Sequence, residues 1–246
     1  MVVRQELGVV SRYLERVPHA FPADLQLWWV DLDAYAEVVA LDGLSAQEHA
    51  RGARMALGRD ARRYLAGRHA LRQVLANELD RSPESLVIEP DEFGKPDLLP
   101  AGPLHFNLSH SAHEGLIGVS RDSPVGLDIE VVHQVVDADA LAGAHFTDAE
   151  RAEWSRAAEP LRDRTFLACW TRKEACVKAL GVGLSARAAT IEAGCAPHKR
   201  VVAIPLGGRQ CEVTLCSLHL PGQSVAAVAL ATPEAVRVAR RSFQHP

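Results

Sequence analysis

The chain has no Cys-x-x-Cys pair, no apolar run long enough for a bilayer and few aromatic residues. Its five cysteines, Cys169, Cys176, Cys195, Cys211 and Cys216, all lie in the C-terminal half. An odd count without paired spacing argues against a zinc site and against a disulfide framework, and suits a reducing compartment. The longest apolar run, Val225 to Ala231, is far short of the roughly 20 residues a membrane helix needs. MVVRQELGVV at the N-terminus shows no basic segment followed by an apolar one, so no signal peptide is expected. The expectation is a cytoplasmic protein without a membrane partner. Aromatics make up 5% and the net charge is −4, which disfavours the broad basic and aromatic surface that nucleic acid requires.

What is present is ordinary in bulk and uneven in placement. The 246 residues, 48% hydrophobic, suffice for one large domain or two small ones. Seven arginines (51, 54, 59, 62, 63, 68 and 72) stand between Arg51 and Arg72 against one acid, Asp60. That stretch is a candidate anion-binding face, or a solvated helix face. Ser45-Ala-Gln-Glu48 and Thr147-Asp-Ala-Glu150 both read as capping boxes that open helices. Each leads to a second helical stretch, 65–79 and 167–181, and then to strand-like segments: LHFNLSHS and GLIGVSR first, QCEVTLCSLHL and SVAAVALA later. This pattern predicts an internal duplication with its pivot near Ser120–Pro124, dividing the chain into 1–122 and 123–246. The basic end, RVARRSFQHP, is expected to be a loosely held tail.

The stretch VGLDIE, residues 125–130, alternates as a strand does. Asp128 and Glu130 should therefore share one face while Leu127 and Ile129 enter a core. Two adjacent carboxylates repel unless something positive stands between them: surface ion pairs would serve, or a divalent metal with one further oxygen ligand. FLACWTRKEACVKALG, residues 166–181, places Phe166, Cys169, Trp170, Cys176, Val177 and Leu180 on one apolar helical stripe. Glu174 and Lys178 lie beside the stripe at i, i+4, either as an ordinary ion pair or as a metal ligand with a phosphate-neutralising charge. Lys173 falls inside the stripe, so it must snorkel or reach a buried anion. Three carboxylates without histidine or cysteine suit Mg²⁺ rather than Zn²⁺. Phe93-Gly94-Lys95-Pro96 displays a lysine on a turn, and HFNLSHS ends in Ser109, His110 and Ser111, all able to bond a phosphate.

Taken in order, GKP (Gly94–Pro96), FNLSHS (Phe106–Ser111), GLDIE (Gly126–Glu130) and the run from Trp170 to Leu184 resemble the motifs of the 4′-phosphopantetheinyl transferases of the Sfp type. The resemblance implies an α/β (α+β) fold of two similar subdomains related by a pseudo-twofold, with the active site in the cleft between them. It implies Mg²⁺-dependent transfer of the phosphopantetheine arm of coenzyme A to a serine of an apo acyl or peptidyl carrier protein. By that resemblance Asp128, Glu130 and Glu174 would be metal ligands, and Glu174 and Lys178 catalytic. Arg51, Arg54, Lys95, Ser109, His110, Lys173 and Lys178 would contact coenzyme A. A chain holding both halves should be a monomer. A Mg²⁺-dependent phosphodiesterase or nuclease, or a non-catalytic carrier-binding homologue, would use the same residues differently.

Overall fold

The computed structural model describes residues 13–22, 24–102, 104–182, 188–206 and 208–244. The N-terminal half runs β1 (Leu14–Arg16), β2 (Gln26–Asp31), α1 (Leu32–Val38), α2 (Ala46–Ala53), α3 (Gly58–Leu79), β3 (Val87–Pro90), β4 (Pro96–Leu99), β5 (His105–Ser111) and β6 (Glu114–Ser120). Its antiparallel sheet has the order β1-β2-β6-β5, and β3 and β4 form a separate hairpin. The C-terminal half runs β7 (Val125–Val131), α4 (Ala138–His145), α5 (Asp148–Ser155), α6 (Arg162–Leu180), β8 (Arg200–Leu206), β9 (Arg209–Leu218), β10 (Ser224–Ala231) and α7 (Pro233–Gln244). Its sheet has the order β7-β10-β9-β8. The fold is mixed α/β, and among the described residues no helix is long and apolar enough to cross a membrane.

Both capping boxes form. The Ser45 hydroxyl accepts from Glu48 N and the Glu48 carboxylate accepts from Ser45 N; Thr147 and Glu150 repeat the arrangement. The two glutamates share a second property: both are buried, and each takes a cation from the long helix that follows. Glu48 accepts from Arg68 Nε at 2.7 Å and Arg72 Nε at 2.9 Å on α3. Glu150 pairs with Lys173 on α6. The two capping boxes thus resemble each other in their buried charge as well.

Lys173 takes the second of the two courses open to it in an apolar stripe and reaches a buried anion. Its ammonium is enclosed between Glu150 and the carbonyl of Ile191, inside the C-terminal half. Removing one partner of such a pair leaves the other charge buried and under-compensated. Lys173→Met should therefore cost about 3–5 kcal/mol in chemical denaturation. A Glu150→Gln/Lys173→Met double variant should lose less than the two single losses combined. A loss under about 1 kcal/mol for Lys173→Met would show that the amides of Ala193 and Gly194, which also donate to Glu150, hold the carboxylate alone.

The stripe itself is incomplete as a description of α6. Thr171, Arg172 and Ala175 are buried as well, because the helix packs on β7 and β10 and is also covered by the loop after residue 188. Arg172 holds that loop: its guanidinium donates to the carbonyls of Ala193, Gly194 and His198 and to Ser217 Oγ. The C-terminal end also differs from the expected loose tail. It forms α7, whose Ala235 and Ala239 are buried in the core with β8 and β9, so Arg237 and Arg241 are on the exposed face of an amphipathic helix while Arg240 is half-buried at its side.

One apolar core lies wholly within residues 14–119, and two lie wholly beyond residue 123. A further core is shared. Val17, Leu25, Leu27 and Leu116 meet Val125, Leu127, Ile129, Leu218, Ala226, Val228 and Leu230. Leu127 and Ile129 enter this shared core, as the alternation of VGLDIE requires.

Candidate functional site

The two sheets adjoin where β5 runs beside β7, and side chains make the join. Asn107 Oδ1 accepts from Leu127 N at 2.7 Å. Ser111 Oγ accepts from Val131 N and donates to Glu130 Oε2 at 2.6 Å. Between them Ser109 Oγ donates to Asp128 Oδ1 at 3.0 Å. Alternate residues of β5 thus face the acids of β7, and the two serines of the SHS stretch orient carboxylates instead of lying open for a phosphate.

Helix α6 closes over the same face of β7 because residue 126 is glycine. A Cβ there would stand 2.2 Å from both Ala175 O and Ala179 N. That approach lets Lys178 reach Asp128: its Nζ donates to Oδ1 at 2.6 Å and to Ser109 Oγ at 3.3 Å. Lys178 pairs with Asp128 across the two elements and not with Glu174 one turn away, the alternative its i, i+4 spacing left open. Glu174 joins the group electrostatically. Burial, then the charge of Asp128, raises its pKa. Burial also raises those of Asp128 and Glu130, with the charge of Asp128 adding to the effect on Glu130.

Among the described residues no three carboxylate, imidazole or thiol groups converge closely enough to enclose a metal as they stand. The three acids repel one another, and Lys178 and Ser109 engage one oxygen of Asp128. The donor set nevertheless fits a hard divalent cation. Its donors are carboxylate oxygens, and Asp128 Oδ2 is buried without a hydrogen-bond partner, a costly state that a cation would relieve.

The opposite side of β5 borders a groove of about 880 Å³, lined by Arg51, Arg54, Tyr64, Gly94, Pro96 and His110 among others. Arg51 lies over the Tyr64 ring at 5.4 Å. Helix α2, which carries Arg51, is anchored by the Glu48 pairs with α3 described above. Of the seven clustered arginines, Arg68 and Arg72 are consumed by Glu48 and Arg63 by Asp33. Among the described residues no carboxylate stands within ion-pair distance of Arg51 or Arg54. His110 stays open to solvent at the groove. The protein around it, then the charges of Lys178 and Arg51, lowers its pKa, so an anion there would raise its proton affinity.

Two expected contacts fall elsewhere. Lys173 is held by Glu150, away from Asp128, because its own helix face is buried against α5 and the following loop. Lys95 turns its ammonium from the groove toward the C-terminal half, donating to Val125 O and Lys178 O at 2.8 Å each; burial lowers its pKa to about 8. Only its neighbours Gly94 and Pro96 line the groove. Asn107 and Tyr64 were missed as site residues. The strand period around Ser109 could have shown Asn107, whereas nothing in the sequence ties Tyr64 to Arg51. The Gly183–Leu184 end of the last motif lies outside the described residues.

A family profile described as the 4′-phosphopantetheinyl transferase superfamily matches residues 124–229, the part that carries Asp128, Glu130, Glu174 and Lys178. A putative 4′-phosphopantetheinyl transferase of Synechocystis is 35% identical over 144 residues, 58% of this chain and 58% of that protein. The 4′-phosphopantetheinyl transferase psf-1 of Bacillus pumilus is 32% identical over 126 residues, 51% of this chain and 53% of psf-1. The chain thus spans little more than half the length of these curated relatives. The 4′-phosphopantetheinyl transferase HetI of Nostoc is matched more fully, at 31% identity over 168 residues, 66% of this chain and 70% of HetI. On the strength of that coverage and of the profile match across the acidic site, the chain belongs to the 4′-phosphopantetheinyl transferase superfamily.

Proposed function

We propose that this protein is a transferase of the Sfp type. It moves the 4′-phosphopantetheine arm of coenzyme A to a serine hydroxyl of an apo carrier protein and releases adenosine 3′,5′-bisphosphate. The observation that carries this reading is the placement of β5 between a carboxylate–lysine cluster on one side and an arginine-lined groove on the other. A ligand with a nucleotide phosphate at one end and a reactive pyrophosphate at the other matches both. Arg51 and Arg54 supply charge for the 3′-phosphate, and His110 supplies a further donor. The matching capping boxes with their buried cations support two similar subdomains related by a pseudo-twofold, with the site in the cleft between them. One chain holds both walls of the cleft, so a monomer suffices.

Asp128, Glu130 and Glu174 would hold Mg²⁺, which when bound supplies Lewis-acid polarisation of the pyrophosphate. This chain's own groups do the rest. Lys178, placed by Asp128 and Ser109, faces the charge that grows as the phosphorus–oxygen bond to the nucleotide breaks. Glu174, whose carboxyl has a raised proton affinity, accepts the proton of the attacking serine hydroxyl. The new bond joins serine oxygen to phosphorus, and the bisphosphate leaves with the bonding pair.

Intact-protein mass spectrometry of a generic apo carrier, incubated with the protein, coenzyme A and Mg²⁺, tests this directly. The expected result is a mass gain of one phosphopantetheine that disappears with EDTA. A folded protein that leaves several unrelated apo carriers unmodified, and that binds no coenzyme A by calorimetry, would overturn the reading. A phosphodiesterase would instead consume coenzyme A without labelling the carrier.

A further inference from the structure

The hairpin β3–β4 belongs to neither large sheet, yet its turn forms one wall of the groove through Gly94 and Pro96. Asp91 organises that turn with both oxygens. Oδ1 accepts from Phe93 N at 3.0 Å and Lys95 N at 2.9 Å. Oδ2 accepts from Arg240 Nη2 at 2.6 Å. Arg240 is on α7, at the far end of the sequence, and lies over the Phe93 ring at 5.7 Å. Its Nε is buried without a partner, so among the described residues the pair with Asp91 is the polar contact fixing this guanidinium.

The other neighbour of Arg240 is the end of the helix that carries Glu174 and Lys178. Gly181 caps α6 with φ +67°, and a Cβ added there would stand 3.0 Å from Arg240 Nη2. The left-handed backbone favours glycine, and the guanidinium packs where a Cβ would crowd it. Arg240 is thus wedged between the turn of the hairpin and the C-terminal cap of α6. Lys95, two residues from Phe93, grips the same helix end through Lys178 O.

We infer that the Asp91–Arg240 pair is a positioning clasp: it holds the hairpin wall of the groove at a fixed place against the cap of α6, and so tunes coenzyme A binding from outside the site. This rests on the proposed function for the identity of the ligand. The pair touches no reacting group, and α7 thereby gains a role beyond covering the sheet.

The variants Arg240→Ala, Arg240→Lys, Asp91→Asn and Asp91→Asn/Arg240→Ala test it. The Asp91→Asn side chain keeps an oxygen for the two turn amides and loses the charge. Calorimetry should show coenzyme A binding about tenfold weaker in Arg240→Ala and in Asp91→Asn, no further loss in the double variant, and recovery in Arg240→Lys. The KM for the carrier and kcat should stay within about twofold, a split that general damage to the fold would not produce. Amide exchange at Phe93 and Lys95 should quicken about tenfold in Arg240→Ala. Unchanged affinity, additive single losses, or a parallel fall in kcat and both affinities would overturn the clasp. Wild-type protein that binds no coenzyme A would overturn the proposed function instead. The clasp would then stand if exchange quickens in Arg240→Ala and fall if it does not.

Discussion

Replacing Glu174 with glutamine should lower transfer by about 10³-fold while coenzyme A still binds, and should leave the folded state as stable as before or more so. The two effects share one cause. Burial, and next the charge of Asp128, raises the Glu174 pKa above the ordinary 4.5. The folded protein therefore binds this proton more tightly than the unfolded chain does. For an acid shifted upward, stability is greatest below the unfolded pKa and declines as pH rises through the folded one. At pH 7 the ionised carboxylate is a net cost to folding, and glutamine removes it. Thermal unfolding without divalent ions should show Glu174→Gln at or above wild type at pH 7, with the difference vanishing below about pH 4. Adding Mg²⁺ should raise the wild-type Tm more than that of the variant, since a ligand stabilises the state that binds it. Near-normal transfer by the variant would remove Glu174 from both the base and the ligand roles.

Gly126→Ala should be the most damaging glycine-to-alanine change among the described residues. The added methyl would lie 2.2 Å from two backbone atoms of α6, and neither can swing aside as a side chain can. Either the helix lifts from β7 or β7 leaves its register with β10, where Gly126 faces Ala229. We expect a loss of about 4 kcal/mol or more in urea denaturation, with any folded remainder inactive because Lys178 no longer reaches Asp128. Gly143→Ala is the matched control. It sits in α4, where an added Cβ meets nothing within 4 Å, and should gain roughly 0.5–1 kcal/mol from helix propensity. Equal behaviour of the two variants would mean that the approach of α6 to β7 is not what fixes the site.

Local chemistry was legible in the sequence, and partners distant in the chain were not. The capping boxes were readable because each closes within four residues. The two faces of VGLDIE were readable because a strand has period two. The fate of Lys173 was half readable: its stripe left snorkelling or a buried anion, and Glu150 lies 23 residues away on another helix. The serines of HFNLSHS carried a misleading signal, since a hydroxyl that can bond a phosphate can equally bond the neighbouring carboxylate. Lys95 shows the same ambiguity, because a lysine on a turn can face ligand or carbonyls. The amphipathic α7 was lost because its basic outer face dominated its short apolar spacing. The hairpin β3–β4 was lost because strands of four residues give too few periods to count.

The shared core bears on how a ligand gets in. Eleven buried side chains from both halves interlock around β2, β6, β7 and β10, so parting the halves would expose a broad apolar surface to water, a penalty that grows with every square ångström uncovered. The two halves are therefore not expected to part like a hinge, and the groove, whose lining comes from residues 45–110, does not depend on their parting. On the proposed function, the ligand should enter through the standing mouth of the groove, and its capture should follow a single concentration-dependent phase, the rate set by collision and by the arginines at the rim and not by a preceding opening step.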